Sequence, residues 1–152
     1  MDFNLKSLLA SFCFGIIVFF LFFFFIISVD LPDIPYRFTL YGPVLEEILK
    51  FISIIILVSV FSIKPLETLT FGVGYGFAEG LSHFIYPNGN AGLIAFTMHS
   101  IVGFVMSYFV YKASGMNKKV LYGIALFLPM FLHAIYNLYL VDLIVYFIVY
   151  GS

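Results

Sequence analysis

Apolar runs of about 20 residues recur along the chain, divided by short polar breaks, and predict membrane-spanning helices at about 8–29, 42–62, 66–86, 91–112 and 119–140. From Val120 to Tyr150 the chain stays apolar for longer than one straight crossing needs at about 1.5 Å per helical residue. Asp142 offers only a weak break there, so a fifth span followed by a short re-entrant or interfacial helix is expected, with six spans as the alternative. The predicted fold is an all-α polytopic transmembrane helix bundle of five to six spans. It is a single transmembrane domain over residues 1–152, because connections of a few residues leave no room for a separate soluble module. The Phe-rich start has Lys6 as a basic flank but no clear small-residue cleavage site, which predicts a retained span rather than a secretory leader.

Composition narrows the class. Hydrophobic residues make up 63% of the chain, with 21 Phe and a mean hydropathy of +1.13, values that belong to a membrane protein. A formal net charge of -1 with scattered basic residues gives no footprint for a nucleic-acid partner. Cys13 is the single cysteine, so neither an intramolecular disulfide nor a thiolate metal cluster is expected, and its apolar setting reads as filler. Lys6, Lys64, Lys112, Lys118 and Lys119 fall on one side of the predicted topology. Asp30, Asp33 and the neutral loop from Pro87 to Asn90 fall on the other, with Arg37 as the exception. The positive-inside rule then places the N-terminus in the cytoplasm.

Only 10% of the residues are charged, and each charge inside a span costs about 2.5–3.5 kcal/mol on insertion scales. Those kept there are candidates for function. Glu46, Glu47 and Lys50 sit one turn inside the second span, Glu79 and His83 in the third, His99 in the fourth and His133 in the fifth. Counted inward from the outer ends, all seven fall roughly 5–12 Å below the outer surface. Four spans thus contribute to one layer.

Ordinary structural readings stand beside these. Pro43 suits a first helical position, acids favour the N-terminal end of a helix, and Lys50 follows Glu46 by four residues, the spacing of an ion pair. That explains one acid but not two so close to hydrocarbon. Gly72, Gly76 and Gly80 repeat at four-residue spacing, a signal for close approach of a neighbouring helix. Glu79 and His83 lie one turn apart on an adjoining face, and His83, near the outer end, fits an interfacial role equally well. His99 precedes Gly103, and His133 precedes Asn137, each by four residues; a membrane histidine alone is often a hydrogen-bonded packing residue. Pro129, four residues before His133, is expected to bend its helix and free a backbone carbonyl. Asn88, Asn90 and Asn117 read as loop residues.

Hydrolysis of a peptide bond needs an activated water, a group that orients the base, and donors aimed at the developing oxyanion. Glu46 or Glu47 can take a proton from water, Lys50 can fix that carboxylate, His99 can help hold the water, and His133 with Asn137 can support the oxyanion. A metal is the competing mechanism. Glu47, or Glu79, with His99 and His133 would make a two-histidine, one-carboxylate zinc set, but the short His-Glu-x-x-His spacing is absent. A metal-independent glutamate base, with no cofactor, is preferred.

The order Glu46-Glu47-x-x-Lys50, Phe77-Ala78-Glu79 in a glycine-rich span, His99, then His133-x-x-x-Asn137 resembles the PrsW family of membrane proteases, relatives of the CAAX prenyl endopeptidase and bacteriocin-processing group. It covers about residues 41–140. The resemblance implies an intramembrane glutamic-type endopeptidase, integral to the cell membrane of a prokaryote, in which the paired glutamates activate water and His133 and Asn137 assist at the oxyanion. It also implies a membrane-anchored protein substrate, such as an anti-sigma-factor-like regulator, cut on its extracytoplasmic side. The prenyl-endopeptidase pattern has Arg one position beyond Lys50 and His in place of Glu79, so a prenylated substrate is not expected. A proton-coupled transporter would also bury Glu, Lys and His, but along a path rather than in one layer. A non-catalytic binding or immunity protein would keep the packing glycines and tolerate loss of the acids.

Overall fold

A strongly apolar run, unbroken by any charge after Lys6, forms the first helix, α1, Leu5–Ser28, in the computed structural model, which describes residues 4–28, 41–84, 89–116 and 118–150. Pro43, in the first turn, opens α2, Gly42–Ser59, and Pro65 opens a 3-10 turn, Pro65–Thr68, that leads directly into α3, Leu69–Phe84. α4 is Gly89–Met116 and α5 is Lys119–Tyr150. The described residues form five α-helices and no strand, the helical bundle expected.

Three stretches are long and apolar enough to cross a membrane, Leu5–Ser28, Gly92–Ser114 and Lys119–Tyr139. α2 is shorter of apolar character because Glu46, Glu47 and Lys50 lie within its 18 residues. α3 has only 16 residues, roughly 24 Å. Beyond residue 140 the structure departs from expectation, since α5 is one continuous helix of 32 residues rather than a span and a separate short helix. Asp142 carries a backbone N–H like any helical residue, and its propensity cost of about 0.7 kcal/mol or less is too small to end a helix. Pro129 lies inside α5, where its missing N–H deprives the Ala125 carbonyl of a donor. Asn90 belongs to the start of α4 rather than to a loop. Asp30, Asp33, Arg37, Pro87, Asn88 and Asn117 lie outside the described residues.

The centre of the bundle is α3, which packs on α1 along one side and α4 along the other, while α5 packs on α4 and α2. Glycine makes both contacts possible. A Cβ on Gly72 would stand 2.6 Å from Gly103 Cα of α4, and one on Gly76 would stand 2.7 Å from the Phe96 carbonyl oxygen. On the opposite side Gly74 meets the Phe12 carbonyl and Gly15 meets the Phe71 carbonyl. The apolar core, with Val18, Phe19, Ile54, Leu57, Phe71, Tyr75, Met106 and Val110, fills the space these approaches leave.

At the end of the bundle that carries the α2–α3 connection, Glu67 ties three segments together. Its Oε1 accepts the Asn4 N–H at 2.9 Å and its Oε2 the Lys64 N–H at 3.3 Å, while Thr70 Oγ1 donates to the Leu8 carbonyl at 2.8 Å. The Asn4 N–H, reinforced by Lys64, holds the Glu67 carboxyl below its ordinary value.

Two outcomes follow for stability in detergent. Gly72→Leu and Gly76→Leu should each lower the unfolding free energy by about 1–3 kcal/mol through overpacking, whereas Gly123→Ala, with nothing within 4 Å of its added methyl, should not. Because the Glu67 pKa is depressed, its contribution is complete above its ordinary value and disappears as pH falls through the lowered one. Thermal melts of wild type and Glu67→Gln should therefore differ at pH 7 and converge on acidification; a constant gap would contradict the assignment.

Candidate active site

Four helices bring their ionisable residues to one buried point. On α2, Glu46, Lys50, Ser53 and Leu57 recur at spacings of four, three and four, and with Glu47 and Ile54 they form the face turned into the protein. Lys50 is fully buried at the middle of that face. Its Nζ lies 2.6 Å from Glu46 Oε1, 2.8 Å from Glu47 Oε1 and 2.6 Å from His99 Nδ1 of α4, and it stands 4.1 Å from the centre of the Tyr75 ring of α3.

These contacts fix the proton positions on chemical grounds. An ammonium between two carboxylates has only N–H groups to offer, so His99 Nδ1 accepts and His99 Nε2 carries the ring proton. Nε2 in turn meets Glu79 Oε2. His133 Nδ1 lies 2.8 Å from Glu47 Oε1, and a carboxylate oxygen can only accept, so Nδ1 is the donor. Its other nitrogen, Nε2, stands 3.9 Å from Glu46 Oε2. That gap is too long for a direct hydrogen bond and is of the kind a water fills from the side. The two imidazoles meet edge to face, with centroids 4.8 Å apart.

The paired glutamates differ. Glu47 is completely buried, shared by Lys50 and His133 through one oxygen, and its Oε2 has no hydrogen-bond partner among the described residues. Glu46 is 7% exposed and borders two cavities, one of about 140 Å³ with Gly42, Leu45, Glu79, His133 and Asn137, and one of about 480 Å³ with Phe19, Tyr75, Ala78, Glu79 and His83. Glu79 borders both, and His83 Nε2 lies 3.8 Å from Glu79 Oε1 with its side chain 42% exposed, at the rim.

Glu46, Glu47, Lys50, Glu79, His99 and His133 thus converge, with Asn137 one turn beyond His133 on the wall of the smaller cavity. The layer expected from counting along the helices is a contact cluster. One feature was not singled out from the sequence: Tyr75 is wholly buried with its ring against Lys50 and 5.5 Å from His99. Its spacing of four before Glu79 was the available signal. One ligand atom from each of Glu46, Glu47, His99 and His133 lies within 4.8 Å of the others, so the donor set for a metal is present. The Lys50 ammonium, within hydrogen-bond distance of three of those four residues, already supplies the positive charge there.

The described geometry defines a helical membrane-type bundle around a buried Glu-Glu-Lys-His-His centre that opens on cavities. The chain matches no protein-family model, no curated protein and no solved structure.

Removing the ammonium leaves buried carboxylates facing one another. Lys50→Met should cost about 3–5 kcal/mol of stability, and adding Glu47→Gln should recover part of it. Equilibrium unfolding of the single and double variants reads both values; a strictly additive pair would contradict the coupling.

Proposed function

We propose that the protein is a polytopic integral membrane endopeptidase of PrsW-like type that hydrolyses a peptide bond in a membrane-anchored protein, with Glu46 as the base. All five helices cross or enter the bilayer in this reading, with the N-terminus cytoplasmic and the centre toward the extracytoplasmic side of a prokaryotic cell membrane. The observation that carries it is the asymmetry of the glutamate pair. Lys50 holds Glu46 by Oε1, while Oε2 lies beside a cavity 3.9 Å from His133 Nε2.

A water in that gap gives a proton to Glu46 Oε2 as its oxygen attacks the substrate carbonyl carbon. The carbonyl oxygen, now anionic, is received by His133, protonated on Nε2 as well as Nδ1, with Asn137 beside it. Glu46 then returns the proton to the departing amine as the C–N bond breaks. Glu47 orients His133, as the buried carboxylate partner of a catalytic imidazole does. His99, whose two nitrogens are taken by Lys50 and Glu79, positions Lys50 rather than holding the water.

Charge separates this from the alternatives. A zinc ion among Glu46, Glu47, His99 and His133 would face an ammonium already 2.6–2.8 Å from its would-be ligands, which favours a metal-independent mechanism. A transporter needs a chain of polar sites through the bilayer, whereas these gather at one point in the bundle. The resemblance to PrsW supports an anti-sigma-factor-like regulator as substrate.

The test is cleavage of single-span reporter proteins by purified protein in lipid. Glu46→Gln should lower the rate about 10²–10⁴-fold with the fold retained, Glu47→Gln should also lose activity, and a chelator should leave wild type unaffected. Normal cleavage by both glutamine variants would sink the mechanism; loss on chelation, restored by zinc, would replace it with the metal reading.

A further inference from the structure

Two cavities meet at Glu46, and they differ in size and lining. The larger, about 480 Å³, lies between α1 and α3, with Phe19, Phe20, Phe23, Ala78 and Leu81 on its walls. The smaller, about 140 Å³, lies among α1, α2 and α5, with Tyr41, Gly42, Leu45, His133 and Asn137 around it. Phe22, Ile26, Glu46 and Glu79 border both, so the two spaces lie side by side with the two carboxylates on their common wall.

Volume limits what each can hold. A dry cavity of about 150 Å³ takes one benzene, so the smaller space suits one side chain of modest size. The larger has room for two or three apolar side chains. An α-helix, about 10 Å across with its side chains, fits neither. An extended chain, advancing about 3.3 Å per residue, can place successive side chains in both. The shared border decides between occupants. A phospholipid headgroup would bring a phosphate against Glu46 and Glu79, whereas an extended peptide brings N–H groups that these carboxylates can accept.

We propose that the cavities are unequal subsites for an extended polypeptide segment lying across Glu46, with two or three bulky apolar residues in the α1–α3 cavity on one side and a single smaller residue beside His133 and Asn137 on the other. This rests on the endopeptidase reading and supplies its substrate class: an apolar segment unwound from a membrane anchor, with a large-to-small step at the cleaved bond. Phe22 and Ile26, which border both spaces, set where that step falls.

Photolabelling tests it without requiring turnover. A single-span peptide carrying benzoylphenylalanine at successive positions is bound to the full chain in phosphatidylcholine vesicles, and the labelled residues are mapped. Probes on one side of the step should label α1 near residues 19–23 and α3 near 78–81; the probe on the other should label near residues 41–45 or 133–137. Ala78→Leu, which fills the larger cavity, should lower the first labelling roughly tenfold and leave the second unchanged, while Phe20→Ala, which opens its wall, should not lower it. Labelling spread evenly over the lipid-facing helices, or unchanged by Ala78→Leu in a folded protein, overturns the proposal. So does a photoreactive phospholipid that fills the larger cavity and is not displaced by the peptide. The reporter cleavage described above judges the endopeptidase reading separately: labelling as expected without cleavage would keep the subsites and discard the hydrolysis.

Discussion

The burial of the Lys50 ammonium is the constraint around which the rest is arranged. An ion of this size loses several kcal/mol of solvation even after relaxation, and good geometry with several partners is needed to offset it. Here the partners come from three helices: two carboxylates of its own turn, the unprotonated nitrogen of His99, and the face of Tyr75. Each partner is then held by another. His99 meets Glu79, and Glu47 meets His133. The relative positions of α2, α3, α4 and α5 are in this sense set by one charge. The three carboxylates outnumber the single ammonium, and the ring N–H groups of His99 and His133 supply the further donors that two of them meet.

A cluster with this many members requires backbones close enough for short side chains to meet. α3 provides that closeness. With Gly72 and Gly76 toward α4 and Gly74 toward α1, it is thin on two sides, and His99 is drawn against the α3 face that carries Tyr75 and Glu79. Enlarging any of these glycines would separate the members of the buried Glu-Lys-His cluster, so packing and site are one problem in this protein.

How much of this was legible in the sequence differs by level. The helical class was readable from apolar run length, and the meeting of Glu46, Glu47, Lys50, Glu79, His99 and His133 from their similar distances from the helix ends. The Gly72, Gly76 and Gly80 row announced a close neighbour without saying that it was α4. Three features were hidden. Tyr75 looks like any aromatic in a chain rich in Phe and Tyr, and only its contact with Lys50 marks it. The different surroundings of Glu46 and Glu47 depend on a rotation of about 100° between adjacent helical residues, which sequence position alone does not refer to a cavity. Glu67 was passed over because its partners are backbone groups at Asn4 and Lys64, which leave no trace in residue type. The end of the fifth helix was misjudged because an apolar stretch longer than one straight crossing was expected to divide, whereas the helix simply continues.

The unbroken α5 has a mechanical meaning. At about 1.5 Å per residue its 32 residues extend roughly 48 Å, against a hydrocarbon thickness of about 30 Å. A helix that much longer than its surroundings leans or projects, and the degree of lean answers to the thickness of the bilayer. His133 rides on this lever, while Glu47, its partner at 2.8 Å, is anchored on the much shorter α2. In a bilayer, membrane thickness would be a variable acting on one hydrogen bond at the centre of the protein, and lipid composition would be a means of tuning it.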